Sequence, residues 1–172
     1  VGRFCLAVEG TTIPVIALCN EPTCKQVRQQ LVRDRSPMAY EITATALDIV
    51  VWDIEEIVGP FRKAYCPSGQ KGMPSHFSLL YPFVDAEKVD ADLIADLEEF
   101  FAGFQAFDYS LKEIAFFERA AYLKPTNEQS FVEITQALMN RFPQCKPYGR
   151  NFESPPPPHL TIAQGMTSNT LR

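Results

Sequence analysis

Residues 155–165 read PPPPHLTIAQG, in which four prolines lead into a histidine and then into alternating hydrophobic and polar residues. Alternation of this kind predicts a β-strand. The proline run favours a stiff, extended backbone, so the start of the strand is predicted to be held in place. Side chains two residues apart lie on one face of a strand, which places His159 and Thr161 on the same face.

A second stretch, MPSHFSLLYPF at residues 73–83, is built in the same way. By the same rule His76 and Ser78 share a face of their strand. A single histidine at a strand entrance is most often a surface or capping residue. These are the only two histidines in the chain, however, and both follow a proline closely and begin a His-apolar-Ser/Thr-apolar pattern. The repetition predicts a functional pair.

The residue types in this pair suit phosphodiester chemistry. Imidazole titrates closest to neutral pH, so one ring can accept a proton while the other donates one. The hydroxyls of Ser78 and Thr161 can donate hydrogen bonds to phosphate oxygens. No carboxylate adjoins either motif, and two histidines without further ligands make a weak metal site. We therefore expect catalysis without a metal or cofactor.

The rest of the chain alternates predicted strands and helices. From residue 43 onward the order is β-α-β-α-β-β-α-β, which indicates an α/β or α+β domain. The strand at 43–52 is apolar on both faces and is predicted to be central. Asp53 is predicted to cap the following helix, which is expected to kink or end near Gly59-Pro60.

Three further expectations concern the middle of the chain. Residues 66–74 are predicted to be a loop, because they are dense in Gly and Pro. The stretch at 85–104 is predicted to contain a helix that ends at Gly103. Another is predicted from 126, where Thr126 and Gln129 have the spacing of a capping box.

The N-terminal part is predicted to be a separate hairpin and helix. Two apolar runs within residues 4–18 are joined at Gly10, and residues 22–35 have helical spacing. The predicted division is therefore an extension at 1–37 and a main domain at 38–172. The extension is either a permuted part of the same fold or an upstream addition.

Composition limits the class of protein. The chain has 172 residues, of which 46% are hydrophobic, enough for one domain with a core. It has no apolar run long enough to span a membrane and no signal-peptide pattern at its start. Five scattered cysteines without a CxxC suggest reduced thiols, and hence a cytoplasmic protein. The net charge of −5 and the absence of a Lys/Arg run argue against extended nucleic-acid binding and favour a small nucleotide or an RNA end as partner. The oligomeric state is not readable from the chain.

At the level of the motifs, the sequence resembles the 2H phosphoesterases, also called the 2′-5′ RNA ligase or cyclic phosphodiesterase superfamily. The mark of that family is a pair of His-x-Thr/Ser-x motifs, matched here by HFSL at 76–79 and HLTI at 159–162. The surrounding segments are also similar to the family, namely ALDIVVW, GPFRKAYCP, HFSLLYPF, FFERAAYLKP and YGRNFESPPPPHLTIA. The likeness runs from about residue 43 to 165.

The resemblance implies a fold, a reaction and site residues. The implied fold is α+β and bilobal, with two pseudo-symmetric halves of antiparallel sheet and outer helices around a central cleft. The implied activity is a metal-independent phosphodiesterase that acts on a 2′,3′-cyclic phosphate or a 2′-5′ phosphodiester of a nucleotide or RNA end. His76 and His159 would be catalytic, and Ser78 and Thr161 would bind the phosphate. A non-catalytic nucleotide or RNA-end binding module of the same fold, or a purely structural domain, remains the alternative.

Residues on the substrate side are less strongly indicated. An aromatic side chain near a motif can stack on a base, and an arginine can contact phosphate. With 13 phenylalanines, most aromatic residues are core residues, and Tyr81 has the strand parity of the core. Lone arginines are more often solvated. The candidates for substrate contact are Tyr81, Phe83, Phe116 or its neighbour Phe117, Arg119 and Arg150.

Overall fold

The computed structural model describes residues 45–165 and the backbone of Val15 and Ile16. This part of the chain is α+β and contains six strands and four helices. In chain order they are β1 (Val15–Ile16), β2 (Ala46–Val50), α1 (Glu55–Tyr65), α2 (Pro67–Gln70), β3 (His76–Leu80), α3 (Ala91–Ala102), β4 (Leu111–Phe117), β5 (Ala120–Pro125), α4 (Glu128–Arg141) and β6 (Leu160–Gln164). No helix in this part is both long and apolar enough to cross a membrane.

The first sheet carries the first histidine motif. Its order is β1-β2-β3, with β2 parallel to β1 and antiparallel to β3. Every residue of β2 is buried, so the prediction of a central strand is confirmed. In the pairing of β2 with β3, Asp48 lies opposite Ser78 and Val50 opposite His76.

The second sheet carries the second motif. Its order is β4-β5-β6, with both pairs antiparallel. Tyr122 of β5 lies opposite Thr161 of β6. Strand β6 also contacts β3 and α1, so the two motif strands are neighbours although they belong to different sheets.

The core lies on the other side of the motif strands. Phe77 is 1% exposed, and its ring packs 4.5 Å from that of Phe131 on α4. Alternate residues of β2 and β3 place their side chains on the same face of the sheet as Phe77, and these side chains pack around its ring. The core residues around it are Leu47, Ile49, Leu79, Leu97, Ile134, Leu138 and Leu160.

The starts of two helices differ from the predictions. Asp53 lies in a short 3-10 turn at Trp52–Ile54, and α1 begins after Ile54 without a side-chain cap. Thr126 does not form a capping box, because its hydroxyl accepts the N–H of Ser110 at 3.0 Å and α4 begins after Asn127. Both capping predictions are wrong because tertiary contacts and a 3-10 turn compete with local capping.

Three other boundaries are corrected. Helix α1 continues through Pro60 to Tyr65, since the buried Val58 and Arg62 anchor it on both sides of the proline. The predicted loop at 66–74 contains α2. Helix α3 starts only at Ala91, where the Asp90 carboxylate accepts the N–H of Leu93 at 2.8 Å.

Most of the N-terminal predictions lie outside the described residues. Only Val15 and Ile16 of the predicted hairpin are described, and they pair with β2 in the sheet that carries His76. The predicted helix at 22–35 lies outside, so both the permuted arrangement and the upstream extension stay predictions. Among the described cysteines, Cys66 and Cys145 are buried free thiols.

Candidate active site

A backbone carbonyl holds each histidine ring. His76 is the first residue of β3, and its Nδ1 lies 2.7 Å from the carbonyl oxygen of Pro74. His159 directly precedes β6, and its Nδ1 lies 2.8 Å from the carbonyl oxygen of Pro157. A carbonyl can only accept a hydrogen bond, so Nδ1 carries the proton in both rings. Each neutral imidazole therefore presents an unprotonated Nε2.

Aromatic rings surround His159. The ring of Phe117 meets it edge-on at 5.0 Å, and that of Tyr122 does so at 5.7 Å. Phe117 and Tyr122 stack on each other at 4.3 Å. Burial among these rings lowers the pKa of His159. The hydrogen bond to Pro157 raises this pKa, and the charge of His76 lowers it, but both effects are smaller than that of burial. The base form of His159 is thereby favoured near neutral pH.

Tyr148 reaches the same imidazole from the turn at Pro147–Gly149. Its hydroxyl oxygen lies 3.4 Å from Nε2 of His159. Burial of the hydroxyl, followed by the nearby charge of Asp48, raises the pKa of Tyr148 to about 12. The hydroxyl thus keeps its proton and acts as a donor. The residue has a φ of 52°, and its N–H donates to the carbonyl of Tyr81. Such backbone strain in a non-glycine residue is often found at functional sites.

Asp48 places a carboxylate on the face of the first sheet that carries His76 and Ser78. The side chain is 3% exposed, and neither of its oxygens has a hydrogen-bond partner of good geometry among the described residues. Burial raises the pKa of Asp48, and the charge of His76, the hydroxyl of Ser78 and the charge of Arg62 oppose the rise in that order. The Ser78 hydroxyl is thus close enough to favour the charged form.

Arg62 connects the two motif strands. It lies on α1, is 1% exposed and donates to the backbone carbonyl of Thr161 on β6. Its other terminal nitrogen donates to the carbonyl of Pro74 at 3.2 Å, which also accepts from His76. Burial lowers the pKa of Arg62, but a guanidinium stays charged in proteins. One side chain therefore holds the turn before the first motif against the strand of the second.

A glycine allows this arrangement. Arg62 also donates to the hydroxyl of Ser68, which lies in α2, and to the carbonyl of Met73, which follows α2. A Cβ at Gly69 would come within 2.5 Å of the Arg62 backbone. The close packing of α2 on α1 therefore requires glycine at this position.

The predicted motif residues and aromatic candidates differ in where the fold places them. Ser78 on β3 and Thr161 on β6 are half-buried, each two residues after its histidine. Tyr81 is 37% exposed, which corrects its assignment to the core. Phe83 is buried against Phe142 and has no free face for a base, which corrects its role as a substrate contact. Phe116 points to the face opposite Phe117, so Phe117 is the aromatic residue beside His159.

The basic candidates lie at the edges of this region. Arg119 donates to the carbonyl of Gly165 at 3.3 Å, and Gly165 lies roughly 13 Å along the strand from Thr161. Arg150 is exposed, two residues after Tyr148. Among the described residues, no group of three or more His, Cys, Asp or Glu is placed to hold a metal ion.

Sequence reasoning missed Asp48, Arg62 and Tyr148. A lone carboxylate in the apolar run ALDIVVW was a signal for Asp48. Arg62 follows the apolar Val58 by four residues, which is the spacing of a buried helix face. Nothing local marked Tyr148, because only the fold brings its hydroxyl to His159.

Two antiparallel pairs of strands that present His-x-Ser/Thr motifs side by side define the 2H class of phosphoesterase. The family model of the 2′-5′ RNA ligase superfamily matches residues 48–172, a range that includes both motifs. The match covers well over half of the chain, and the chain belongs to this superfamily. A search of curated proteins found no match.

Proposed function

We propose that the chain is a metal-independent phosphodiesterase that acts on a 2′,3′-cyclic phosphate or a 2′-5′ phosphodiester of a nucleotide or RNA end. The observation that carries this proposal is the matched pair of Nδ1 bonds to Pro74 and Pro157, which leaves Nε2 of both His76 and His159 as the proton-transfer atom. Membership of the superfamily supports phosphoesterase or ligase chemistry.

In the proposed hydrolysis, Nε2 of His159 removes a proton from water, and the water oxygen forms a bond to phosphorus. The bond from phosphorus to the departing ribose oxygen breaks, and His76, which starts this step as the imidazolium with protons on both nitrogens, gives its Nε2 proton to that oxygen. Exchange with solvent then returns both rings to their starting states. Ligation would follow the same path in reverse, with the two roles exchanged.

The surroundings of the two histidines favour this division of roles. The aromatic rings around His159 keep it neutral, and the neutral form is the one a base needs. His76 lies on the face of the sheet that carries the buried Asp48 side chain, away from the aromatic rings around His159. The hydroxyls of Ser78 and Thr161 would hold the phosphate oxygens as negative charge accumulates.

The rings next to His159 suggest how a base is bound. Phe117 is 38% exposed and Tyr148 is 39% exposed, although both contact the imidazole. Exposed aromatic faces beside a phosphate site can stack on a nucleobase. We propose that these two residues stack on the base, a role for which the sequence offered Tyr81, Phe83 and either Phe116 or Phe117.

The decisive experiment is hydrolysis of nucleoside 2′,3′-cyclic phosphates and a 2′-5′ dinucleotide in EDTA. We expect wild-type turnover, and a loss in kcat of about 100-fold or more in both His76→Ala and His159→Ala, because each variant removes one partner of acid–base catalysis. The wild-type profile should be bell-shaped. A requirement for added divalent metal, or a flat profile between about pH 5 and 8, would contradict the proposal.

A nucleotide or RNA-end binding module is the second candidate. The observation in its favour is that the Tyr148 hydroxyl already lies against Nε2 of His159, the atom that catalysis requires. Binding of the same compounds without turnover would establish this candidate. The paired histidines argue against it, since arginine binds phosphate better than imidazole does.

A further inference from the structure

The mechanism above uses two histidines and two hydroxyls, yet the site contains a third ionisable group. Asp48 lies in the middle of β2, between the buried Leu47 and Ile49. Those neighbours point into the core, whereas Asp48 points to the opposite face, where Ser78 lies directly across the sheet and His76 lies diagonally. The carboxylate is therefore aimed at the first motif.

This placement is costly for folding. A buried carboxylate without hydrogen bonds loses its hydration and gains little in return. Both Asp48 oxygens lack a partner of good geometry among the described residues, and burial raises the pKa of Asp48 in spite of three favourable neighbours. An apolar side chain would avoid this cost at a central strand position. A buried group that lowers the stability of the fold is characteristic of a functional site.

We propose that Asp48 is a positioning residue that holds the proton on His76 before catalysis. The inference rests on the proposed function, because it assigns His76 the role of acid. Asp48 itself does not touch substrate.

The groups around Asp48 single out His76 as its partner. Within the described part of the chain, the charged or titratable groups that interact with Asp48 are His76 from β3, Arg62 from α1 and Tyr148 from the turn before β6. Arg62 keeps its charge and donates to backbone carbonyls. Tyr148 keeps its proton. Of these three side-chain types only histidine ordinarily changes charge near neutral pH, so in the proposal the Asp48 carboxylate acts on the proton of His76.

The same arrangement helps to restore the acid after each turnover. When His76 gives its proton to the leaving oxygen, the Asp48 carboxylate faces a neutral imidazole. The carboxylate then favours uptake of a new proton from solvent. In the proposed step Asp48 neither gains nor loses a proton, and the proton that reaches the leaving group comes from Nε2 of His76.

The test compares Asp48→Asn with wild type, and Asp53→Asn, an exposed carboxylate nearby, serves as the control. We expect Asp48→Asn to lower kcat about 10- to 100-fold with little change in KM, as part of the acid–base contribution. The basic limb of its pH–rate profile should move to lower pH, because the acid loses its proton more readily. Its Tm should rise by about 3–6 °C, because a buried charge is removed. A rise in Tm with a fall in kcat is not expected of a structural carboxylate.

Proton NMR provides a readout that does not depend on turnover. The chain has only two histidines, so His159→Gln assigns the remaining imidazole resonance to His76. We expect this resonance to titrate at lower pH in Asp48→Asn than in wild type. An unchanged titration and an unchanged rate profile would overturn the role of Asp48 and leave the proposed function standing. A lower Tm in Asp48→Asn would also overturn the role of Asp48, because it would show that the carboxylate stabilises the fold. Wild type without turnover, but with the shifted titration, would overturn the proposed function alone.

Discussion

At each histidine, a proline carbonyl two residues earlier in the chain selects the tautomer. The geometry is local, since the acceptor and the ring belong to the same Pro-x-His segment. Proline has a fixed φ and stiffens the segment that carries this carbonyl. This gives the proline run before His159 a chemical role as well as a mechanical one. The carbonyl of Pro74 has a second role, because it also accepts from Arg62.

Tyr148→Phe tests whether the phenolic hydroxyl contributes to the reaction. The hydroxyl is a donor within reach of Nε2 of His159, and in a complex it can donate to a phosphate oxygen instead. We expect kcat/KM for a 2′,3′-cyclic phosphate to fall about 10-fold, which corresponds to the loss of one hydrogen bond. Tyr65→Phe, at an exposed position on α1, is the control. Equal activity of the two variants would exclude a role for the Tyr148 hydroxyl.

Helix α1 carries the link between the two motifs. An interior proline is expected to end a helix, yet α1 continues because Val58 and Arg62 are buried on both sides of Pro60. Arg62 joins segments that are 99 residues apart in sequence, namely α1 and the Thr161 carbonyl. Its planar fork can serve acceptors on β6 and in the turn before β3 at once, which a lysine ammonium does less well.

Arg62→Lys is expected to lower kcat more than it changes KM. The lysine keeps the charge but cannot replace both Arg62 hydrogen bonds, to the carbonyls of Pro74 and Thr161, so the two histidines lose their fixed separation. Stability should fall by about 1–3 kcal/mol, the cost of an unsatisfied buried group. The measurements are kinetics and chemical denaturation.

Two controls separate positioning from general destabilisation. Arg141 forms an exposed ion pair with Asp96, so Arg141→Lys should change neither kcat nor the free energy of unfolding appreciably. Activity of Arg62→Ala should be partly restored by millimolar guanidinium if the missing fork is what the site lacks. A variant whose kcat tracks only its folded fraction would show that Arg62 is structural.

At the scale of the whole molecule, the half-buried His159 and the buried Asp48 give stability opposite dependences on pH. The folded-state pKa of His159 is lowered, so its contribution is present above the ordinary histidine pKa of about 6.5 and is lost as pH falls through the lowered value. The folded-state pKa of Asp48 is raised, so its destabilising effect grows as pH rises above the ordinary aspartate pKa of about 3.9.

His159→Gln isolates the first of these contributions. We expect wild type to lose free energy of unfolding between about pH 7 and the lowered pKa of His159, because the unfolded chain binds a proton there that the folded chain does not. The variant should lose less over the same range. Denaturant titrations at several pH values measure this difference. Parallel curves for the two proteins would show that His159 titrates alike in the folded and unfolded states.

The class of fold and the centre of the site follow from the order of residues alone. Period-2 alternation after a proline is a local property, so it is enough to place His76 with Ser78 and His159 with Thr161. The same local reasoning predicts the order of strands and helices from residue 43. It fails at helix starts, where Thr126 bonds to Ser110, directly before β4, instead of capping its own helix.

Completion of the site, by contrast, depends on tertiary contacts. β3 and β6 lie side by side, and Arg62 bonds to β6 and to the turn before β3, although these segments are far apart in the chain. Tyr148 reaches His159 across an intervening loop. The choice of Phe117 over Phe116 follows from the register of β4. No local pattern encodes such contacts, because a side chain's charge state and partners are set by what the fold packs against it.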